Sequence, residues 1–192
     1  MQKLSRNDHE VLQRAIAEAE KGSQIHLALI VVPVSDRYAM YPLAFSALLA
    51  LALGGALALV WPHTTLRLAV LCEALVFIGF SLALDWLPLR LLLVPPALKR
   101  ARARNLAHRE FAARILTTHR GGVLLFVSLA ERYVELLADR RTHIRVGQDA
   151  WDQIVTRLTA DAKSLPLRDC LLAAVASCGQ AMEDDEPREP VP

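Results

Sequence analysis

The sequence predicts an α/β protein, a small αβα sandwich with a mixed sheet that is interrupted by a transmembrane helical hairpin. The first observation is a run from Leu43 to Trp61 that contains no charged residue, and the second is a similar apolar stretch from Leu68 to Leu84. The third is a pair of almost continuously apolar runs, Ile25 to Val32 and Val123 to Leu129, which flank the hairpin and are typical of buried strands. The predicted α/β domain is therefore split by its membrane anchor.

The N-terminal piece, residues 1–38, predicts one helix followed by one strand. Ser5 with Asp8 three residues later marks the helix start, and Ile25 to Val32 forms the strand. One helix and one strand bury too little apolar surface to fold alone, so we expect this piece to pack against the C-terminal piece. Because residues 1–23 are polar, no signal peptide is expected, and the first apolar helix serves as the insertion signal.

The apolar runs at residues 43–61 and 68–84 predict two transmembrane helices. A helix over the first run is about 28 Å long, close to the hydrocarbon thickness of a bilayer. Residues 86–98 are apolar but short and interrupted by prolines, so we expect an interfacial segment. Residues 62–67 carry one charge, whereas the chain after the second run is strongly basic, which predicts that both termini are cytoplasmic.

Two features of the predicted hairpin have alternative interpretations. Ala50, Gly54 and Ala58 recur at a spacing of four, which favours close helix contact, either within the hairpin or between two copies of the chain. Glu73 is the carboxylate inside the second span. An ion or proton pathway needs partner charges deep in the bilayer, which the sequence lacks, so we expect a neutral or interfacial Glu73.

The C-terminal piece, residues 99–182, completes the predicted domain. In order, it contains a basic helix over Leu98 to Thr118, strands at Val123 to Leu129 and Tyr133 to Ala138, a helix around Trp151, and a helix over Leu167 to Cys178. The remaining residues, 183–192, are acidic and rich in proline, which predicts a disordered tail.

The basic helix suggests a surface that binds anionic molecules. Because it directly follows a membrane segment, anionic lipid headgroups are favoured over nucleic acid as its partner. The residues expected to contact lipid are Lys99, Arg100, Arg102 and Arg104.

Acidic residues near the strand ends are the candidates for chemistry. If one end of the sheet brings them together, Asp36, Asp139 and His143 would form a site for a divalent cation or an anion. The alternative is structural: Asp149 caps the helix around Trp151, Asp139 ends a strand, and the other residues are solvated. No phosphate-binding loop is expected, because Gly121 and Gly122 precede a strand and not a helix.

The same segments resemble the TPM domain. This domain occurs in bacteria and in chloroplast thylakoid proteins linked to photosystem II repair, for which an acid phosphatase activity has been reported. The resemblance is closest to bacterial membrane proteins in which two helices interrupt the TPM domain, and it implies a bacterial inner-membrane location. The residues that carry it are Leu4 to Val32, Ser35 to Tyr38, Gly122 to Leu129, Arg132 to Asp139, Arg145 to Asp152, and the final alanine-rich helix.

The chain departs from TPM domains in two loops. Before the central strand, secreted and lumenal TPM domains typically have an acidic residue and Asn where this chain has His119 to Gly122. After the next strand they typically have a Gly-Tyr-Gly where this chain has Asp139 to Arg141. The sequence therefore favours a non-enzymatic accessory or interaction module that contacts other membrane proteins. The competing hypothesis is a weak metal-dependent phosphatase. Three cysteines at non-bonding spacings fit a reducing cytoplasm.

Overall fold

The computed structural model describes residues 5–21, 25–61, 65–84, 86–117 and 121–183, without the side chains of residues 87–89. The chain divides into two compact units: an α/β unit formed by Met1–Ser35 and Arg102–Pro192, and an apolar unit formed by Asp36–Ala101. The α/β unit is therefore assembled from two stretches that are far apart in sequence. Most of the predicted acidic tail, residues 184–192, lies outside the described residues.

The described residues form eight helices and three strands. The strands are β1 (His26–Val32), β2 (Gly122–Ser128) and β3 (Tyr133–Ala138). The helices are α1 (Arg6–Lys21), α2 (Met40–Val60), α3 (Leu66–Leu84), α4 (Leu87–Leu93), α5 (Pro96–Arg114), α6 (Arg140–Val146), α7 (Gln148–Asp161) and α8 (Leu167–Glu183).

The three strands form one mixed sheet in the order β1-β2-β3. β1 is parallel to β2, with His26 opposite Gly122 and Val32 opposite Ser128, whereas β2 and β3 form an antiparallel hairpin. This pairing confirms the prediction that the N-terminal strand joins the sheet of the C-terminal piece. β2 lies in the centre and is buried along its whole length, as its uninterrupted apolar sequence requires.

Helices cover both faces of the sheet. Val123, Leu125 and Val127 of β2 face a core that contains Leu12 of α1, Trp151 and Leu158 of α7, and Leu171 and Val175 of α8. Leu124 and Phe126 point the other way and pack with Ala103 and Ala107 of α5 and with Ile115. The alternation along β2 follows from the two-residue period of a strand.

Two helices differ from the expectation: one has other bounds, and the other was not predicted. The basic helix, predicted over Leu98 to Thr118, begins at Pro96 and ends at Arg114. It is separated from α4 because Val94, which precedes Pro95, adopts the extended conformation that a residue before proline favours. In addition, α6 follows β3 directly, where the sequence predicted no helix.

In the apolar unit, α2 and α3 pack against each other as a hairpin. Gly54 faces Glu73: a Cβ atom at Gly54 would lie 3.5 Å from the Glu73 Cδ. Ala50 is buried, whereas Ala58 is exposed. The small residues Ala50 and Gly54 thus contribute to contact within the hairpin. In the same unit, the Arg90 Nη1 donates a hydrogen bond to the Arg37 carbonyl at 2.7 Å.

Candidate functional site

The strand directions determine which predicted site residues meet. β1 and β2 run in parallel, so their carboxyl ends, Val32 and Ser128, lie at the same edge of the sheet. β3 returns along β2 and ends beside Val123, and the Asp139 amide then donates to the Gly122 carbonyl at 2.9 Å. Asp139 therefore lies at the opposite edge, about 20 Å from Ser128 at the usual rise of a strand.

Ser35, the residue before Asp36, is hydrogen-bonded to Glu131 at the edge where β1 and β2 end. Ser35 and Asp139 therefore lie at opposite edges of the sheet. The site predicted from Asp36, Asp139 and His143 stays a prediction. If β1 were antiparallel to β2, its carboxyl end would lie beside Asp139, but the pairing is parallel.

Asp139 has a structural role in this arrangement. It is the N-cap of α6, and its Oδ1 accepts a hydrogen bond from the Thr142 amide at 3.0 Å. His143 lies one turn into this helix, with its amide bonded to the Asp139 carbonyl at 2.8 Å. The carboxylate satisfies one of the free amides at the helix start. Asp139 thus follows the end of β3, as the structural interpretation expected, and it also caps α6.

The expected cap of α7 is also different. Gly147 occupies the N-cap position with a φ of 88°, a conformation that glycine adopts without strain, and no side chain caps this helix. Asp149 lies in the first turn of α7, where its charge is favourable for the helix dipole. Within the described residues, no group of three or more His, Cys, Asp or Glu side chains is arranged to hold a metal ion.

A charged cluster between β3 and α5 was missed by the sequence analysis. The Glu135 side chain is 17% exposed, and its Oε1 lies 3.8 Å from the Arg104 Nε and 3.6 Å from the His108 Nε2. The Arg104 Nε also donates to the His108 Nε2 at 3.4 Å. Glu135 is the charged residue in a strand that otherwise contains apolar residues and a tyrosine. This pattern in the sequence could have indicated that Glu135 has a partner.

Tyr133 belongs to the same cluster. Burial raises the pKa of its phenol to about 12, and the charge of Glu135 and a hydrogen bond to it act in the same direction. The phenol therefore stays protonated at neutral pH. This cluster attaches α5 to the sheet through polar groups, next to the apolar contacts of Phe126 with Ala103 and Ala107.

The basic residues of α5 differ in what they contact. Arg104, one of the predicted lipid contacts, lies within ion-pair distance of Glu135, and the Arg114 Nε bonds the Glu110 Oε2 at 2.9 Å. Arg102 and Arg109 are exposed and seven residues apart, so they lie on the same side of the helix. Lys99 and Arg100 precede them in the part of α5 that belongs to the apolar unit.

The two cysteines of α8 are buried. Cys170 and Cys178 belong to the core of the α/β unit, and burial raises the pKa of both thiols, that of Cys178 to about 12. Thiols in apolar surroundings remain protonated and are poor nucleophiles. These two thiols therefore act as small apolar side chains.

A search of protein-family models finds no match to this chain. No curated protein matches it either. Among solved structures, the chain is similar to the NMR structure of the BA42 protein from the psychrophilic bacterium Bizionia argentinensis. The two are 13% identical, and the match covers 98% of this chain and 92% of that chain with a TM-score of 0.50. At this identity the similarity concerns the fold alone: an α/β protein with a mixed three-stranded sheet.

Proposed function

We propose that this chain is an integral membrane protein that presents a TPM-like α/β domain on the cytoplasmic side of a bacterial inner membrane. In this proposal the domain is a non-enzymatic accessory module that contacts other membrane proteins. The hairpin of α2 and α3 anchors it, and the basic side of α5 binds anionic lipid headgroups.

The observation that carries the proposal is the exposure of two long apolar helices. α2 has 21 residues and α3 has 19. Their most apolar stretches of 18 residues have mean hydropathies of 2.4 and 2.0, and only 11% and 0% of these stretches are buried. Helices of this length span about 30 Å. A core helix of a water-soluble protein would bury such a surface, whereas Leu59 and Leu75 are 86% and 69% exposed. A bilayer would cover them.

The distribution of charge supports the orientation. Residues 62–67 carry one charged residue, Arg67 in the first turn of α3, whereas α5 carries six lysines and arginines against one acidic residue, Glu110. Basic residues near the ends of membrane helices favour the cytoplasmic side. Two crossings also leave both stretches of the α/β unit on the same side, which their shared sheet requires.

The roles of the acidic residues support an interaction module over a catalyst. Asp139 caps α6, Glu135 faces Arg104 and His108, and Glu131 accepts hydrogen bonds from Ser35 and Ser128. A catalytic carboxylate has to remain available to a substrate or a metal ion, and these three are occupied by the fold. This leaves contact with other proteins and with lipid as the function that the described residues support best.

Topology mapping tests the proposal directly. Reporter domains fused after residue 20 and after residue 183 of the full chain are both expected to report the cytoplasm. A matched control with the reporter inserted between α2 and α3, after Thr65, is expected to report the opposite side. Two terminal reporters on different sides would disprove the hairpin. A chain that alkaline carbonate removes from membranes would disprove integral insertion.

A further inference from the structure

A cleft of about 760 Å³ opens in the α/β unit at the edge where β1 and β2 end. Its wall includes the end of β2, the turn between β2 and β3, and the loop between α7 and α8. All of its lining residues belong to the α/β unit. Nothing in the predicted site or in the proposed function uses this cleft.

The position of the cleft is typical of binding sites in α/β proteins. Ligands of open α/β sheets bind outside the carboxyl ends of parallel strands, where loops form a crevice. Ser128 ends β2 at the cleft, next to Val32, the last residue of the parallel strand β1. The volume also falls within the range of about 300 to 1,000 Å³ for small-molecule sites.

Two cationic side chains line the cleft. Arg132 and Lys163 are exposed, and within the described part of the chain neither forms an ion pair. The nearby carboxylate of Glu131 accepts hydrogen bonds from the Ser35 amide and hydroxyl and from the Ser128 hydroxyl. A guanidinium and an ammonium at one cleft are suited to a carboxylate or a phosphate.

The backbone of Arg132 adds a second, independent observation. Its φ is 49°, a left-handed conformation that glycine or asparagine adopts more readily than arginine. Residues in this conformation are over-represented at ligand sites, where the local strain is tolerated. Arg132 thus occupies a turn position that favours glycine or asparagine, and it lines the cleft.

The rest of the wall is apolar. Leu165 is 49% exposed at the cleft, and Leu129 and Leu167 line it beside the cations. An exposed leucine is unremarkable alone, but here three leucines adjoin two unpaired cations. The cleft therefore combines a cationic end with an apolar wall.

We propose that this cleft binds an anionic amphiphile with a single alkyl chain. Its carboxylate or phosphate monoester headgroup is held by Arg132 and Lys163, and its alkyl chain packs against Leu129, Leu165 and Leu167. This binding is independent of the lipid contacts of α5, which involve other residues.

Calorimetric titration of the full chain in nanodiscs of zwitterionic lipid tests this site, with empty nanodiscs as the blank. The probes are octyl phosphate, octanoate, inorganic phosphate and octanol. We expect saturable binding of an octyl anion at least about tenfold tighter than binding of inorganic phosphate or octanol, since both ends of the ligand contribute. The stronger of the two octyl anions identifies the headgroup as phosphate or carboxylate.

Variants locate the binding. Arg132→Asn together with Lys163→Gln should weaken the binding of the octyl anion at least about tenfold. Asparagine is chosen because it preserves the left-handed turn. Leu165→Ser should weaken the binding of the octyl anions but leave the binding of inorganic phosphate unchanged. Arg141→Gln, an exposed arginine of α6 at the opposite sheet edge, is the matched control and should bind as the wild type does. Equal binding by the double variant and the wild type, octanol binding as tight as octyl phosphate, or no saturable heat would each overturn the proposal.

Discussion

Ser35 and Glu131 are 96 positions apart, yet the amide and the hydroxyl of Ser35 both donate to the Glu131 Oε1, at 3.0 and 2.7 Å. The other carboxylate oxygen accepts from the hydroxyl of the buried Ser128. Glu131 lies in the turn between β2 and β3. It thus links this turn to Ser35, after which the chain leaves the α/β unit. One charged side chain adds a polar link to the sheet and core that join the two stretches separated by the hairpin.

Replacing Glu131 should therefore destabilise the α/β unit. Glu131→Ala removes a charged acceptor from three donors, and hydrogen bonds of this kind contribute about 1.5 to 3 kcal/mol when they are partly shielded from water. We expect the midpoint of thermal unfolding of the detergent-solubilised chain to fall by several degrees. Glu10→Ala, in an exposed pair with Arg14, is the control and should change it little. Equal effects of the two variants would contradict the role of Glu131.

The cap of α6 predicts a graded effect at Asp139. Asp139→Ala should lower the free energy of unfolding by about 1 kcal/mol, because the Thr142 amide loses its acceptor, whereas Asp139→Asn should be close to the wild type because asparagine caps equally well. Denaturation monitored by circular dichroism measures both. A large loss of unfolding free energy in the asparagine variant would show that the charge of Asp139, and not its capping hydrogen bond, stabilises the protein.

Activity distinguishes the interaction module from the phosphatase hypothesis. The purified protein should hydrolyse aryl phosphates no faster than the Asp36→Asn, Asp139→Asn double variant, with or without added magnesium or calcium, because the Asp139 carboxylate is used as the cap of α6. A metal-dependent rate that the variant loses by about a hundredfold, or about 2.7 kcal/mol of transition-state stabilisation, would establish the phosphatase instead.

Tyr133 gives the α/β unit a dependence on alkaline pH. Its pKa is raised from 10.0 to about 12 in the folded protein, so the unfolded chain ionises first. The stability that this group contributes is complete below pH 10 and is lost as the pH rises towards 12. We expect Tyr133→Phe to flatten the decline in stability over this interval. The difference in absorbance at 295 nm between wild type and variant should show one phenol titrating near pH 12, and a transition near pH 10 would refute it.

The lipid contacts of α5 predict a response to anionic lipid. In nanodiscs, amide hydrogen exchange of α5 should slow when part of the zwitterionic lipid is replaced by phosphatidylglycerol, because a bound headgroup holds the helix at the surface. Replacing Lys99, Arg100 and Arg102 by glutamine should remove this response. The matched control, Arg140→Gln with Arg141→Gln on α6, should retain it, and a response that persists in the triple variant would exclude these residues.

Arg104, one of the predicted lipid contacts, has an acidic neighbour that the sequence does not reveal. Its position on the helix is as exposed as that of Arg102, but β3 places Glu135 within 3.8 Å of its guanidinium. The partner lies 31 positions away and on another element. Patterns along the chain identify charged residues but do not reveal which of them are paired.

The sequence by itself determined the elements with long, uninterrupted patterns. The apolar helices α2 and α3 and the strands β1 and β2 follow from length and composition, because a surface that avoids water constrains every residue along it. β2 is buried throughout as predicted, whereas Leu27 is the buried residue of β1. Only the tertiary structure decided that β1 runs parallel to β2, which places Asp139 and the end of β1 at opposite edges. Strand direction, the Glu135 cluster and the cleft beside Arg132 depend on contacts between residues distant in sequence. Such contacts arise only when the separate elements pack, so no local pattern encodes them.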